Sequence, residues 1–256
     1  MLTAVDCNYS ITGNGPALFL THGIGAAKDA WRFMLPELSK HFSVVTYDLR
    51  GHGKSPVTHK NFTLDELVLD LERIREKTKF DRAHFAGHSL GGMIAPAYAL
   101  RFPKHTLSVG LLSTVAGRSE EDSKKVWNVI NDMEKNGIEK TLQTLTNRWF
   151  TDDFIKNNSD LVERRLKQVV DTDPEVFLNV FKIYAKTEMF PWLKNIFKPC
   201  LLMTGEYDGG CSPKHNQIMA NEIKNSKLVI LPKYKHSFLI EAPNEVAKSL
   251  IEFINE

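Results

Sequence analysis

The chain has 256 residues, 42% of them hydrophobic and 25% charged, with 15 glycines and 11 prolines. That balance excludes disordered, collagen-like and mini-protein classes, and the length allows one large domain or two small ones with a sizeable core. Thirty-three Lys and Arg against 31 Asp and Glu leave a net charge of +2 with the signs mixed along the chain, so neither nucleic acid nor an anionic membrane surface is implied as a partner.

The first strand-like run is Ala17 to Thr21, followed by a helical pattern over about 28–39 and a second run at Ser43 to Tyr47. Thr63-x-x-Glu66 reads as a capping box ahead of a helix at 63–77. A third apolar run, Arg82 to Ala86, leads into a helix over 90–102, and a fourth lies at Ser108 to Leu112. From Val115 to Pro191 there are helical periods and charged faces but no buried strand. Strands then resume at Cys200 to Thr204 and Lys227 to Leu231, with helices at 213–224 and 243–255, the last opened by Pro243 at a position that tolerates a missing N–H.

Runs such as ALFLT, LLMT and LVIL lack polar alternation, so both faces should be covered, as in a parallel sheet. Strand alternating with helix means a doubly wound α/β architecture. We therefore expect a core from residues 1–114 and 192–256, with 115–191 inserted as a helical cap. Three of the four tryptophans, Trp127, Trp149 and Trp192, lie in or beside that insertion. Trp127 and Trp149 are candidates for a pocket wall, the alternative being packing of cap onto sheet.

Cys7, Cys200 and Cys211 form no C-x-x-C pair and are odd in number, which argues against a disulfide framework and a zinc site and for buried thiols. No window reaches the ~18 apolar residues of a membrane span, and MLTAVDCNYS lacks a signal-peptide pattern, so a cytoplasmic location without membrane contact is expected.

The strongest chemical signal is Gly87-His88-Ser89-Leu90-Gly91, set between an apolar strand and a helix. This is G-x-S-x-G in the context it requires: the glycines permit a strained turn on which the serine hydroxyl stands clear of the sheet. A serine hydroxyl needs a base and an orienting acid, which in this arrangement follow in the order Ser, acid, His. His236 follows a strand through a short loop, whereas His215 falls within a helix and is expected at the surface. The acid should lie just past Cys200 to Thr204, and Asp208 is preferred with Glu206 in reserve. The alternative for Asp208 is a turn residue ahead of Gly209. Oxyanion donors are expected from the backbone amides of Leu90 and Ile24, with His22 a structural loop residue. No cofactor or metal is called for.

His22-Gly23-Ile24-Gly25, Tyr47 to Ser55, the turn at Ser89, Gly205-x-x-Asp208, and His236 followed by Glu241-x-Pro243 together resemble the α/β-hydrolase superfamily across nearly the whole chain. Within it, Ala83 to Ile94, Arg148-Trp149-Phe150-Thr151 and Thr172 to Glu175 look most like the 3-oxoadipate enol-lactonases. That resemblance implies a small carboxylated enol-lactone opened by Ser89, with Arg148 and Trp149 in the pocket. Arg148 would pair with a substrate carboxylate or stay an exposed helical arginine. The histidine in the 22–25 loop and the Gly209 to Pro213 segment depart from the enol-lactonases. A general short-chain carboxylesterase therefore stays open. A carbon-carbon bond hydrolase is disfavoured because Gly23-Ile24-Gly25 and Ser237 stand where that group carries Gly-Pro-Gly and Trp. A ligand receptor on the same scaffold is a further alternative. The expected partner is a small ester or lactone, with self-association into a homo-oligomer left open.

Overall fold

A computed structural model describes residues 2–256. Among them, seven strands form one sheet: β1 (Tyr9–Thr12), β2 (Ala17–Thr21), β3 (Ser43–Tyr47), β4 (Ala83–His88), β5 (Thr106–Leu112), β6 (Cys200–Gly205) and β7 (Ser226–Leu231), in the order β1-β3-β2-β4-β5-β6-β7. β1 pairs antiparallel with β3, and every other pairing is parallel. β2, β3 and β6 are buried along their whole length, as unbroken apolar runs demand.

Two departures follow from position in the sheet. β1 carries no continuous apolar signal because it is a short edge strand whose last two residues are exposed. At the other edge, β7 is not covered on both faces: Ile230 is 42% exposed.

Four helices pack on the sheet in register with the sequence reading: α2 (Leu64–Thr78), α3 (Gly91–Arg101), α10 (Pro213–Glu222) and α12 (Pro243–Asn255). The capping box of α2 forms, with the Thr63 amide donating to Glu66 Oε2 at 3.0 Å. The helix expected over 28–39 is instead a 3₁₀ turn, Lys28–Trp31, and a short helix α1, Leu35–Leu38. Pro36 explains the break, since its ring and missing N–H are tolerated only in the first turn of a helix.

Between β5 and β6 the chain runs through α4 (Glu120–Asn136), α5 (Ile138–Trp149), α6 (Asp152–Asn157), α7 (Ser159–Asp171), α8 (Pro174–Lys186) and α9 (Phe190–Leu193), with no strand among them. This helical segment is tied to the loop after β7 at several points. The Ser237 amide donates to the Trp149 carbonyl at 2.8 Å, and Thr151 Oγ1 donates to Glu241 Oε2 at 2.5 Å. Glu241 lies on α11 (Phe238–Glu241), next in chain to His236 and Ser237. The carboxyl ends of β2, β4, β5, β6 and β7 thus share one edge of the sheet, beneath the helical segment.

Candidate active site

Ser89 stands directly after β4 with φ +57°, a left-handed conformation that a serine rarely adopts. The flanking glycines explain how the turn closes. A Cβ on Gly87 would lie 2.0 Å from the Gly91 carbonyl oxygen, and one on Gly91 would lie 2.2 Å from that of Thr21. No side chain fits at either position, so the pattern read from sequence is a steric requirement of this turn.

Asp208 follows β6 and is 3% exposed. His236 follows β7, and its Nδ1 lies 2.7 Å from Asp208 Oδ2. Burial alone would raise the Asp208 carboxyl. The His236 imidazole, the Cys211 amide and the Ser113 hydroxyl outweigh it and hold the group well below the usual carboxylate range. The Gly210 and Cys211 amides donate to Oδ1 at 2.9 and 2.8 Å, and Ser113 Oγ donates to Oδ2 at 2.7 Å. Glu206, the reserve acid, instead accepts from the Lys233 amide at 2.8 Å.

Ser89, Asp208 and His236 line one pocket, which opens to solvent. Asp208 and His236 are in contact; the Ser89 hydroxyl shares their wall without a hydrogen bond to the imidazole. An acid-oriented imidazole sharing a pocket wall with a serine is the donor set for nucleophilic attack on a carbonyl carbon.

The loop after β2 is held by two neutral histidines. His22 Nδ1 lies 2.7 Å from the Gly23 carbonyl, and its Nε2 accepts from the Leu49 amide at 2.9 Å. A carbonyl can only accept, so Nδ1 carries the proton. His52 repeats the pattern, with Nδ1 3.1 Å from the Arg50 carbonyl and Nε2 accepting from the Gly25 amide at 3.3 Å. Burial pushes the two imidazoles down to about 4 and about 3, so neither is charged at neutral pH. The Gly23 carbonyl belongs to the same peptide plane as the Ile24 N–H, so His22 sets where that amide points. Among the described residues, the Ile24 and Leu90 amides donate to no protein acceptor. Both are free to receive developing negative charge.

Several contacts around this site have no signature in the sequence. His88 Nε2 donates to the His236 carbonyl at 2.9 Å and steadies the loop that carries the imidazole. Burial, reinforced by the neighbouring His236 ring, pushes the His88 imidazole down to about 3. Arg165 on α7 also lines the pocket, over the Trp149 ring at 4.7 Å. Among the described residues it pairs with no carboxylate; its neighbour Arg164 reaches Asp29 Oδ2 at 2.8 Å.

Of the residues proposed for substrate contact, Arg148 and Trp149 line the pocket and Trp127 does not. Trp127 is half-buried on α4, while its neighbours Val126 and Val129 present the apolar wall. His215, expected at the surface, is buried: Nδ1 meets Ser212 Oγ at 3.0 Å and Nε2 lies 3.5 Å from Asp122 Oδ2 on α4. The three thiols are buried, as their composition suggested. Cys211 Sγ, an Asp208 oxygen and a His236 nitrogen all lie within 4.8 Å of one another. The Asp208–His236 hydrogen bond and a thiol kept protonated by burial explain that cluster without an ion.

Residues 16–243 match the model of the alpha/beta hydrolase fold family, and the chain belongs to it. It is 27% identical over 242 residues to 3-oxoadipate enol-lactonase 1 of Acinetobacter baylyi, spanning 94% of this chain and 89% of that one. An enol-lactonase structure from Burkholderia xenovorans superposes with a TM-score of 0.91 at 26% identity, over 98% of this chain and 96% of the other. A thermophilic esterase structure from Thermogutta terrifontis shares the fold, with a TM-score of 0.89 at 22% identity, covering 98% and 93%. Hydrolase activity is the common ground. Among the described residues, no helix is long and apolar enough to cross a membrane.

Proposed function

We propose that this member of the alpha/beta hydrolase family cleaves a small carboxylic ester or lactone through an acyl-enzyme on Ser89. The observation that carries the reading is Ser89 at φ +57° on the wall of the pocket that also holds the 2.7 Å Asp208–His236 pair. His236 Nε2 takes the hydroxyl proton as Ser89 Oγ attacks the carbonyl carbon, and the oxyanion settles on the Ile24 and Leu90 amides. Collapse expels the ester or lactone oxygen, which takes the proton from His236. In a lactone that oxygen stays tethered to the acyl group. Water, deprotonated by His236, then attacks the acyl-enzyme, and Ser89 leaves with the proton. Asp208 holds Nδ1–H throughout and stabilises the imidazolium. Residues 115–191 act as the cap that encloses the substrate, over a core of 1–114 and 192–256.

Arg148 at the pocket suits a substrate carrying a carboxylate, and the similarity to enol-lactonases supports a 3-oxoadipate enol-lactonase-like reaction. The apolar walls of Val129, Leu145 and Phe181 favour the second reading, a short-chain carboxylesterase. Initial rates on 3-oxoadipate enol-lactone and on a short p-nitrophenyl ester, for wild type and Ser89→Ala, decide between them. Fast lactone opening that vanishes in Ser89→Ala supports the first; fast ester turnover with an inert lactone selects the second. Turnover that survives Ser89→Ala overturns both.

A further inference from the structure

Arg165 is the pocket cation whose bonding partners are least ordinary. It sits on α7, and both of its terminal nitrogens reach across to the loop after β2. Nη1 donates to the Gly25 carbonyl at 2.6 Å and Nη2 donates to the Ile24 carbonyl at 2.8 Å. The same helix holds that loop again further along, where Arg164 and Gln168 donate to the two oxygens of Asp29 at 2.8 and 2.7 Å.

The peptide between Ile24 and Gly25 is therefore gripped at both ends. Its carbonyl is held by Arg165 and its N–H by His52. The preceding peptide, which presents the Ile24 N–H, is held only through its carbonyl, by His22 and more loosely by the Ala26 amide at 3.4 Å. Without Arg165 the 24–25 peptide would keep only the 3.3 Å bond from the Gly25 amide to His52, and the shift of the Ile24 Cα that this looser hold permits would tilt the adjoining Ile24 N–H. A planar fork holding two successive carbonyls suppresses that shift in a way that a point charge cannot. Desolvation holds the guanidinium down to about 10, still charged at neutral pH, and the Trp149 face packs against it.

We infer that Arg165 is a positioning residue: it clamps the Ile24–Gly25 carbonyls from the helical segment and so keeps the Ile24 amide aimed at the oxyanion. The inference rests on the proposed role of Ile24 as an oxyanion donor. It makes the productive loop conformation depend on α7 being docked, which couples closure of the helical segment to the competence of the site.

The test uses Arg165→Met and Arg165→Lys, with Lys167→Met on the exposed face of the same helix as control, and two readouts. The first is hydrogen exchange at the Ile24 and Gly25 amides, which needs no turnover. The second is kcat and KM on neutral p-nitrophenyl acetate and on a carboxylated ester, with Ser89→Ala defining the background. We expect exchange to rise about tenfold or more in Arg165→Met. kcat should fall about 30-fold or more on both esters, short of the 10²–10³ lost with a whole oxyanion donor, with KM steady within about threefold. Arg165→Lys should recover part of the loss, which also separates positioning from misfolding. Unchanged exchange, or unchanged kcat on the neutral ester, overturns the inference. A rise in KM confined to the carboxylated ester overturns it too and makes Arg165 a substrate-binding residue. If wild-type turnover does not depend on Ser89, the functional reading fails, and the clamp is judged by exchange alone.

Discussion

Ser113 and His236 approach the same oxygen of Asp208, each at 2.7 Å. Ser113 lies just past β5 with φ +43°, a strained conformation held by the Ser113 amide donating to the Met203 carbonyl at 2.7 Å. Its hydroxyl therefore arrives pre-aimed at the carboxylate, and it fixes which oxygen faces the imidazole.

Ser113→Ala tests that support. A hydrogen bond to a charged group contributes about 1.5–3 kcal/mol, and the Gly210 and Cys211 amides stay in place to limit the damage. We expect kcat to fall about tenfold with KM little changed. Because a donor that favours the ionised form is lost, the Asp208 carboxyl should rise from its depressed position. Its stabilising contribution, present above the unfolded carboxylate range and lost on acidification, then disappears at a higher pH than in wild type. Acid-unfolding curves and a pH–rate profile read both effects.

Asp208→Asn keeps the size of the side chain and removes its charge. An amide at that position can offer N–H to His236 Nδ1, stabilising the tautomer whose Nε2 can no longer serve as acceptor for the Ser89 proton. The expected loss in kcat is about 10³–10⁴, with the melting temperature changed by only a few degrees. A loss of less than tenfold would point to Glu206 or another acid.

The strands β2 to β6 and the turn at Ser89 were legible because their signals are local: continuous apolar runs, and small residues where a Cβ would strike backbone. The capping box of α2 was legible for the same reason. What escaped is long-range. Arg165 reaches Ile24 across 141 residues, and His88 reaches His236 across 148, and no periodicity announces either contact. The Arg148 to Thr151 and His236 to Glu241 segments each stand out in the sequence, but their junction through Thr151 and Glu241 is a fact of packing. The burial of His215 is not legible because a helical position alone does not say which face meets α4, and the place of Trp127 is not because its neighbours Val126 and Val129 carry the wall.

Stability should fall as pH drops below about 6.5. His22, His52 and His88 sit at about 4, 3 and 3 through burial, whereas an unfolded chain titrates them near its ordinary histidine value. Between those limits the unfolded state binds more protons, so acidification favours it by up to about 1.4 kcal/mol per pH unit for each group. We expect the melting temperature to decline by on the order of 10 °C between pH 7 and pH 5. His52→Gln retains an acceptor for the Gly25 amide and removes one titrating group, so its decline should be shallower. A melting temperature flat over this range would contradict the buried, neutral assignment.

Gly87→Ala should be among the most damaging single substitutions in the core. The new methyl would meet the Gly91 carbonyl oxygen at 2.0 Å and its carbon at 2.1 Å. Backbone cannot yield as a flexible side chain can, so a destabilisation above about 4 kcal/mol is expected, read as loss of soluble protein or a large fall in denaturation midpoint. A mild effect would mean that the turn at Ser89 relaxes and that its φ of +57° is not enforced by packing.

Arg148 and Trp127 make contrasting predictions about the substrate. Arg148 lines the pocket but is exposed, so an ion pair with a substrate carboxylate is screened by water and contributes about 0.2–1 kcal/mol. Arg148→Ala should therefore raise KM for a carboxylated ester by no more than about fivefold and leave a neutral ester unchanged. Trp127→Phe should alter neither, since its side chain is outside the pocket. Steady-state kinetics on the two esters reads the difference. A KM rise beyond about 30-fold for Arg148→Ala would mean that bound substrate buries this guanidinium. The helical segment would then have to close over the pocket in the complex further than it does here, burying Arg148 of α5 against the substrate.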